Sequence, residues 1–188
     1  MALHVSILDP PSLVAKSQSV IVYTIGHSNH PLDKLTRLLQ EHRIEVLVDI
    51  RSKPQSRWVP HFNQRNLETA LPGIGIEYQY FGKELGGLPD NPTLYKRNAN
   101  RKRKSDPATI ADYGKIAQQN WFEDGINKLI EVAGEKRVTI MCSEEKPESC
   151  HRSLLVGQAL MQKGVTVLHI RKDGALQPQS ARDRITTA

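Results

Sequence analysis

Residues 137–164, RVTIMCSEEKPESCHRSLLVGQALMQKG, contain the pattern that decides the fold. The stretch begins with a short apolar run, continues through a polar loop and ends with apolar residues at helical spacing. Gly164 then stops the helix, and a second apolar run follows directly. A strand, a helix and a second strand in this order predict parallel strands joined by a helical crossover.

The same alternation of short apolar runs and helical patterns covers most of the chain. It predicts a single α/β domain with an about five-stranded, mostly parallel sheet and helices on both faces, in Rossmann-like layering. The five runs that we interpret as strands are VIVYTI (20–25), EVLVDI (45–50), IEYQYF (76–81), RVTIMC (137–142) and VTVLHI (165–170).

The predicted domain spans residues 20–172. Residues 1–19 contain a Pro-Pro pair and no sustained period, so we expect an N-terminal arm, and residues 173–188 have the same character and predict a tail. Within the domain, residues 51–106 are rich in proline and contain one convincing strand. We therefore expect an elaborated crossover that serves as a lid or binding loop.

Charge and composition narrow the class of protein. The 188 residues include 26 Lys and Arg against 20 Asp and Glu, a formal charge of +6 that indicates an anionic partner, either nucleic acid or a phosphorylated small molecule. No apolar run is long enough to span a bilayer, and two cysteines are too few for a disulfide scaffold. We expect a soluble cytoplasmic protein with free thiols and no membrane partner. The sequence does not determine an oligomeric state.

Polar residues follow three of the predicted strands. His27 and Ser28 come after the first strand, Asp49 and Arg51 end the second, and the segment CSEEKPESCHR at 142–152, called here the cysteine loop, ends the fourth. Ligands of parallel sheets bind outside the carboxyl ends of the strands, so we expect these residues to line one crevice. The simpler alternatives are a loop hydrogen bond for His27 and a structural pair between Asp49 and Arg51.

Three chemistries compete for the cysteine loop. Cys142 or Cys150 could act as a nucleophile near a helix N-terminus, although the nine residues between Cys142 and Arg152 exceed the spacing of the thiol phosphatase signature. Cys142, Cys150 and His151 could bind zinc, with His27 as one further candidate ligand, but the sequence has no CxxC pair. Our expectation is that no cofactor is needed, with zinc as the alternative. The third chemistry is acid/base catalysis by Glu144 or Asp49, with Arg152 or Arg51 binding a phosphate.

A basic run, YKRNANRKRKSD at 95–106, lies at the end of the crossover. One interpretation is a flexible arm beside the crevice that binds nucleic acid. Its basic residues are Lys96, Arg97, Arg101, Lys102, Arg103 and Lys104. The other is a solvated surface loop, which is the more usual role of a charge run.

Four blocks of the sequence resemble a bacterial and archaeal family known as domain of unknown function 488. They are TIGHSNHPLDKL (24–35), LVDIRSKPQS (47–56), YQYFGKELGG (78–87) and MCSEEKPESCHR (141–152), and the similarity runs from about Val20 to Arg171. The family has no assigned activity, so the resemblance implies little about the reaction. It does imply that the paired glycines Gly86 and Gly87 belong to the site, where they would allow close backbone approach to a ligand.

Together these observations predict an enzyme that acts on a phosphorylated, nucleotide-like or nucleic-acid substrate by carboxylate acid/base chemistry, a hydrolase or transferase. The alternatives are a Cys-dependent transferase or redox enzyme and a non-catalytic nucleic-acid or ligand-binding module. The candidate catalytic residues are His27, Asp49, Cys142, Glu144 and Cys150. The candidate substrate-binding residues are Ser28, Arg51, Gly86, Gly87, His151 and Arg152.

Overall fold

The computed structural model describes residues 19–100, 102–103 and 107–181. Six strands form one sheet, two more form a separate hairpin, and helices cover both faces of the sheet. No helix within this part of the chain is long and apolar enough to cross a membrane. In chain order the strands and α-helices are β1 (Ile21–Gly26), α1 (Leu32–Glu41), β2 (Val46–Asp49), α2 (Gln64–Ala70), β3 (Glu77–Tyr80), α3 (Gly82–Leu85), β4 (Tyr95–Arg97), β5 (Thr109–Ala111), α4 (Tyr113–Ile116), α5 (Asn120–Glu135), β6 (Val138–Cys142), α6 (Gln158–Gln162), β7 (Thr166–Ile170) and β8 (Leu176–Pro178).

The main sheet has the strand order β3-β2-β6-β1-β7-β8. All neighbours are parallel except β8, which runs antiparallel to β7. The five strands predicted from the sequence are β1, β2, β3, β6 and β7, each within one residue at either end. The prediction of a mostly parallel α/β fold is therefore confirmed. Strand β8 was not predicted, and it lies in the segment interpreted as a tail.

Two apolar clusters form the core, one on each face of the sheet. Leu47 and Met141 project into the cluster that contains the buried leucines of α1, and Val48 and Ile140 project into the cluster under α5. Side chains of a strand alternate between the faces, so each central strand contributes to both clusters. All five residues of β6 are buried because both faces are covered.

The pairing register aligns the carboxyl ends of the three strands that carry the candidate residues. Gly26 of β1 lies opposite Cys142 of β6, and Asp49 of β2 lies opposite Met141. The loops that follow these strands therefore leave the sheet side by side, with the cysteine loop between the other two.

The long crossover contains regular structure that the sequence did not predict. Lys96 and Arg97 lie in β4, which pairs with β5 in an antiparallel hairpin, so this half of the basic run is a strand and not an arm. Lys102 and Arg103, between the two strands, are exposed. Arg101 and Lys104 lie outside the described residues, and the interpretation of the run as a nucleic-acid-binding arm stays a prediction.

The helix after the cysteine loop begins with a π-helical stretch, Arg152–Gly157, and continues as α6. Gly164 ends it with a φ of 78°, as the sequence indicated. Stretches of π-helix are rare and occur frequently at functional sites.

The cysteine loop packs closely against β1 at Gly26. A Cβ atom there would overlap the carbonyl group of Glu144 and lie 2.8 Å from the Arg152 guanidinium. We expect Gly26→Ala to lower the free energy of unfolding by about 1–3 kcal/mol or more, the usual cost of overpacking.

At Gly134 of α5, by contrast, an added Cβ atom would meet nothing within 4 Å. Gly134→Ala is the matched control and should raise the stability by up to roughly 1 kcal/mol. Urea titration of both variants measures the difference, and equal stabilities would contradict the packing.

Candidate functional site

A cavity of about 280 Å³ lies at the carboxyl ends of β2 and β6. Four parts of the chain form its wall: the loop after β2, the glycine pair region, the start of α4 and the cysteine loop. The lining residues are Arg51, Ser52, Lys53, Gly87, Leu88, Tyr113, Cys142, Ser143, Glu144, Ser149, Cys150 and His151. Both thiols, the histidine and one carboxylate from the predicted site therefore share this cavity.

The two thiols face the same nitrogen of one imidazole ring. Cys142 Sγ lies 3.5 Å from His151 Nδ1, and Cys150 Sγ lies 3.9 Å from it. Both cysteines are free, and they are only 6% and 2% exposed, respectively. A reagent would reach them through the cavity, since both line its wall.

His151 is fixed in position and in tautomer. Its Nε2 lies 3.0 Å from the carbonyl oxygen of Ile50, which can only accept, so Nε2 carries a proton and donates it. In the neutral ring Nδ1 then has a lone pair, and this lone pair faces the thiols. Gly87 packs against the ring, because a Cβ atom there would lie 2.7 Å from His151 Cγ. The close approach that Gly87 permits is thus to His151.

The surroundings shift the two thiol pKa values in opposite directions. A hydrogen bond from Cys150 lowers the pKa of Cys142, and burial opposes this shift. The backbone N–H groups of Ser143 and Glu144 and the charge of Arg152 also lower the pKa. The pKa of Cys150 is raised, first by its hydrogen bond with Cys142 and then by burial. Cys142 is therefore the thiol that ionises first, and Cys150 remains a protonated donor beside it.

Tyr113 is a cavity residue that sequence reasoning missed. Burial, together with the negative charges that Cys150 and Cys142 can carry, raises the pKa of its phenol to about 12. Its hydroxyl group therefore stays protonated at neutral pH. Lys53 and Ser149 were also missed. No signal in the sequence connects Tyr113 with the cysteines, because they come together only when the start of α4 packs beside the cysteine loop.

Arg152 lies behind the cysteine loop and not in the cavity. Its side chain is fully buried, and its guanidinium donates hydrogen bonds to the carbonyl oxygens of Glu144 and Glu145 and to Thr24 Oγ1, the last two at 2.6 and 3.2 Å. This position favours a structural role in shaping the loop. We expected the same guanidinium to bind a substrate phosphate. Arg152 is not among the lining residues, and it contacts one of them, Glu144, only through the backbone carbonyl oxygen.

His27, Arg51 and Asp49 form a separate buried cluster. Arg51 donates to both carboxylate oxygens of Asp49, at 2.5–3.1 Å, and to His27 Nε2 at 3.1 Å. Asp49 also accepts from the Tyr78 hydroxyl at 2.9 Å. His27 stacks on Phe62 in the cluster under α1, so it lies on the opposite face from Cys142. Of the three predicted residues only Arg51 reaches the cavity wall.

The charge state of His27 follows from its contacts. Burial and then the charge of Arg51 lower its pKa to about 4. Its Nδ1 donates to the Ser28 carbonyl oxygen at 2.7 Å, which leaves Nε2 to accept from Arg51. Both ring nitrogens are engaged. The structural alternatives that the sequence left open for His27 and Asp49 match these positions better than catalytic roles do.

The remaining predicted residues divide between the cavity and its support. Glu144 is exposed and lines the cavity. Ser28 supports the loop instead, since its backbone N–H donates to the Ser143 carbonyl oxygen at 2.8 Å. Gly86 lies against Ser52, whose hydroxyl accepts from the Leu88 N–H at 2.9 Å. The predicted site residues therefore lie at one end of the sheet, but they do not all line one crevice.

A family model described as "Domain of unknown function DUF488" matches residues 31–159. The chain belongs to this family. No curated protein and no solved structure is detectably similar to it. The two thiols and the imidazole that face the cavity all fall within the residues that the family match covers.

The buried pair of Asp49 and Arg51 is expected to stabilise the fold. Asp49→Asn would leave the Arg51 guanidinium buried without its counter-charge, which should lower the free energy of unfolding by about 3–5 kcal/mol. Asp33 forms an ion pair with Arg37 in which both side chains are 72% exposed, so Asp33→Asn is a matched control that should change little. Chemical denaturation compares the two variants. Similar losses in both would show that the buried cluster contributes no more than a surface pair.

The opposite pKa shifts of the two thiols predict different pH profiles of alkylation. We expect Cys142 to react with iodoacetamide at a lower pH than an ordinary thiol, whose pKa is about 8.5, and Cys150 to react only at higher pH. Below its pKa each thiol is protonated and inert, so each rate rises with pH through that value. Cys150→Ala removes the hydrogen bond and should move the Cys142 profile to higher pH. Peptide mass analysis assigns each site, and the denatured chain, where the profiles should coincide, is the control.

Proposed function

We propose that this protein is a thiol–disulfide oxidoreductase in which Cys142 is the nucleophile and Cys150 the second thiol of the exchange. The observation that carries the proposal is the pair of thiols that face His151 Nδ1 at the wall of a cavity. A general base beside a nucleophile, itself oriented by a third group, is the arrangement that activates thiols in enzymes. Here the orienting group is the Ile50 carbonyl.

The first step forms a mixed disulfide. Cys142 transfers its proton to His151 Nδ1, and its sulfur attacks one sulfur of a substrate R–S–S–R′. The S–S bond of the substrate breaks, and R′S⁻ leaves and takes the proton from Nδ1. The lowered pKa of Cys142 favours the thiolate, and the orientation of His151 places the proton beside the leaving group.

The second step releases the rest of the substrate. Cys150 loses its proton to Nδ1 and attacks the Cys142 sulfur, so that RS⁻ leaves with that proton and a Cys142–Cys150 disulfide remains. Two electrons pass from the protein dithiol to the substrate, which becomes two thiols. The sulfur atoms lie within 4.8 Å, so closing an S–S bond of about 2.05 Å needs a loop movement of less than about 3 Å. A small dithiol restores the reduced protein by the reverse exchange.

The cavity surroundings favour an anionic substrate. Lys53 is exposed at the cavity and also lines a second cavity, of about 580 Å³, together with Lys96 and Arg97 of the hairpin. Leu88 lines both cavities, so they adjoin each other. A substrate with a phosphate or carboxylate group would meet positive charge along this path. A phosphorylated small molecule or a nucleic acid as the partner stays a prediction that this charge supports.

The carboxylate chemistry expected from the sequence has less support in the geometry. Asp49 is fully buried and engaged by Arg51 and Tyr78. Glu144 is the one carboxylate that lines the thiol cavity in the described part of the chain. A reducing compartment such as the cytoplasm would suit two free cavity thiols, and this location is part of the proposal.

A single-turnover reaction with oxidised glutathione tests the proposal. The reduced chain should release two glutathione thiols and lose the mass of two hydrogens. Cys150→Ser should stop at the first step, with one glutathione attached to Cys142, because the second thiol is missing. Cys142→Ser should prevent fast reaction. Acid quenching followed by intact-mass analysis distinguishes these species.

Two controls accompany the reaction. Ser149→Ala changes a cavity residue outside the thiol–imidazole group and should leave the products unchanged. Lys53→Ala should slow the reaction with oxidised glutathione, which is anionic, roughly fivefold, because about 1 kcal/mol of charge interaction in water is lost. The rate with the neutral bis(2-hydroxyethyl) disulfide should not change. Failure of the Cys150→Ser variant to retain glutathione would contradict the proposal. A nucleotide hydrolysis activity that survives alkylation of both thiols would favour Glu144 chemistry instead.

A further inference from the structure

The three side chains at the cavity wall also form a candidate metal site. Cys142 Sγ, Cys150 Sγ and His151 Nδ1 lie within 4.8 Å of one another. In a tetrahedral zinc site, bonds of about 2.3 Å to sulfur and 2.0–2.1 Å to nitrogen place S and N about 3.6 Å apart. The two S–N distances here are 3.5 and 3.9 Å. The two S–N distances therefore already match a zinc tetrahedron closely, and the two sulfur atoms, which lie within 4.8 Å of each other, would come to about 3.8 Å apart on binding zinc.

The imidazole is held in the tautomer that a metal requires. Nε2 donates to the Ile50 carbonyl at 3.0 Å, so the lone pair of Nδ1 faces the sulfur atoms. Histidine ligands of metals almost always donate their other N–H to such an outer partner, which fixes the ring and raises its basicity. Gly87 leaves room for the ring in this position, because a Cβ atom there would lie 2.7 Å from His151 Cγ.

The charge and the softness of the donors indicate which cation fits. Two thiolates and a neutral imidazole balance a divalent cation, so the complex would be neutral in a buried position. Thiolate ligands select thiophilic cations such as Zn²⁺ over Mg²⁺ or Ca²⁺, which prefer oxygen. All three residues line the cavity, which leaves space beside them for a fourth ligand. Three protein ligands and one open position are the arrangement of catalytic rather than structural zinc sites.

We infer that the reduced chain binds one Zn²⁺ through Cys142, Cys150 and His151, with water in the open fourth position. The inference goes beyond thiol exchange, because a bound metal occupies both sulfur atoms and blocks their reaction with disulfides. The disulfide form has no thiolates and does not bind. The same cavity thus has two states, a metal-free dithiol that exchanges with disulfides and a zinc form that does not.

Cobalt titration of the full chain tests the site directly. The reduced, metal-free protein is titrated with Co²⁺ under anaerobic conditions, followed by Zn²⁺. We expect one Co²⁺ per chain, a sulfur-to-cobalt charge-transfer band and the intense visible bands of tetrahedral Co²⁺, all lost when Zn²⁺ displaces it. Cys142→Ser, Cys150→Ser and His151→Gln should each weaken binding more than about 100-fold, since even outer partners of ligands account for 10–100-fold. Ser149→Ala should bind as the parent does.

A second measurement does not depend on the variants being folded. One equivalent of Zn²⁺ should slow the alkylation of both thiols in the parent chain, and a chelator should restore the rate. Weak octahedral cobalt spectra, unchanged affinity in folded Cys150→Ser, or alkylation that Zn²⁺ does not slow would overturn the inference. The glutathione reaction of the metal-free chain is independent of these results, so loss of the metal site and loss of thiol exchange are distinguishable.

Discussion

The site depends on the buried guanidinium of Arg152, which ties the cysteine loop to β1. It donates to two carbonyl oxygens of the loop and to Thr24 Oγ1 at 3.2 Å. Because Thr24 accepts from Arg152, its hydroxyl is free to donate to His169 Nδ1 at 2.7 Å, and His169 Nε2 donates to Gln179 Oε1 at 2.8 Å. Burial lowers the pKa of His169 to about 4, so the ring is neutral and one proton arrangement satisfies the whole chain of bonds. The last strand, β8, thus connects through β7 and β1 to the loop that holds the thiols, because Gln179 follows it directly.

The sheet separates two polar clusters with different properties. On the α1 side Asp49 and His27 are held by Arg51, which also reaches the cavity wall. Asp49 is fully buried, and the cluster stabilises the connections after β1 and β2. On the other face Cys142 and His151 turn their reactive atoms toward a cavity. The first cluster has few unused hydrogen-bonding positions, and the second keeps an imidazole lone pair and two sulfur atoms open to a partner. This difference in hydrogen-bond satisfaction, more than the residue types, is why we propose chemistry at the second cluster.

Much of the site could be predicted because parallel strands bring their carboxyl ends to one edge. Cys142, Glu144, Cys150 and His151 lie in one loop at the end of β6 and all line the cavity, while their roles stay predictions. The division of the remaining residues between two faces could not be predicted, because it depends on side-chain direction at a strand end, where a shift of one residue changes the face. Tyr113 could not be found either, since only packing places it beside the thiols.

By itself, the sequence determined the five parallel strands, the family and the loop that contains both thiols, because these depend on local periodicity and on contiguous motifs. Only the tertiary structure decided what the charged residues do. Arg152 and Arg51 have the same chemistry as phosphate-binding arginines, but the fold buries them against carbonyl oxygens and against Asp49. The tertiary structure likewise decided that Nδ1 of His151 faces the cysteines. The reason is that Nε2 donates a hydrogen bond to the Ile50 carbonyl oxygen, 101 residues away in the chain. Hydrogen bonds between residues so distant in the chain produce no local sequence pattern. They nevertheless determine which reactive side chains are free to contact a ligand.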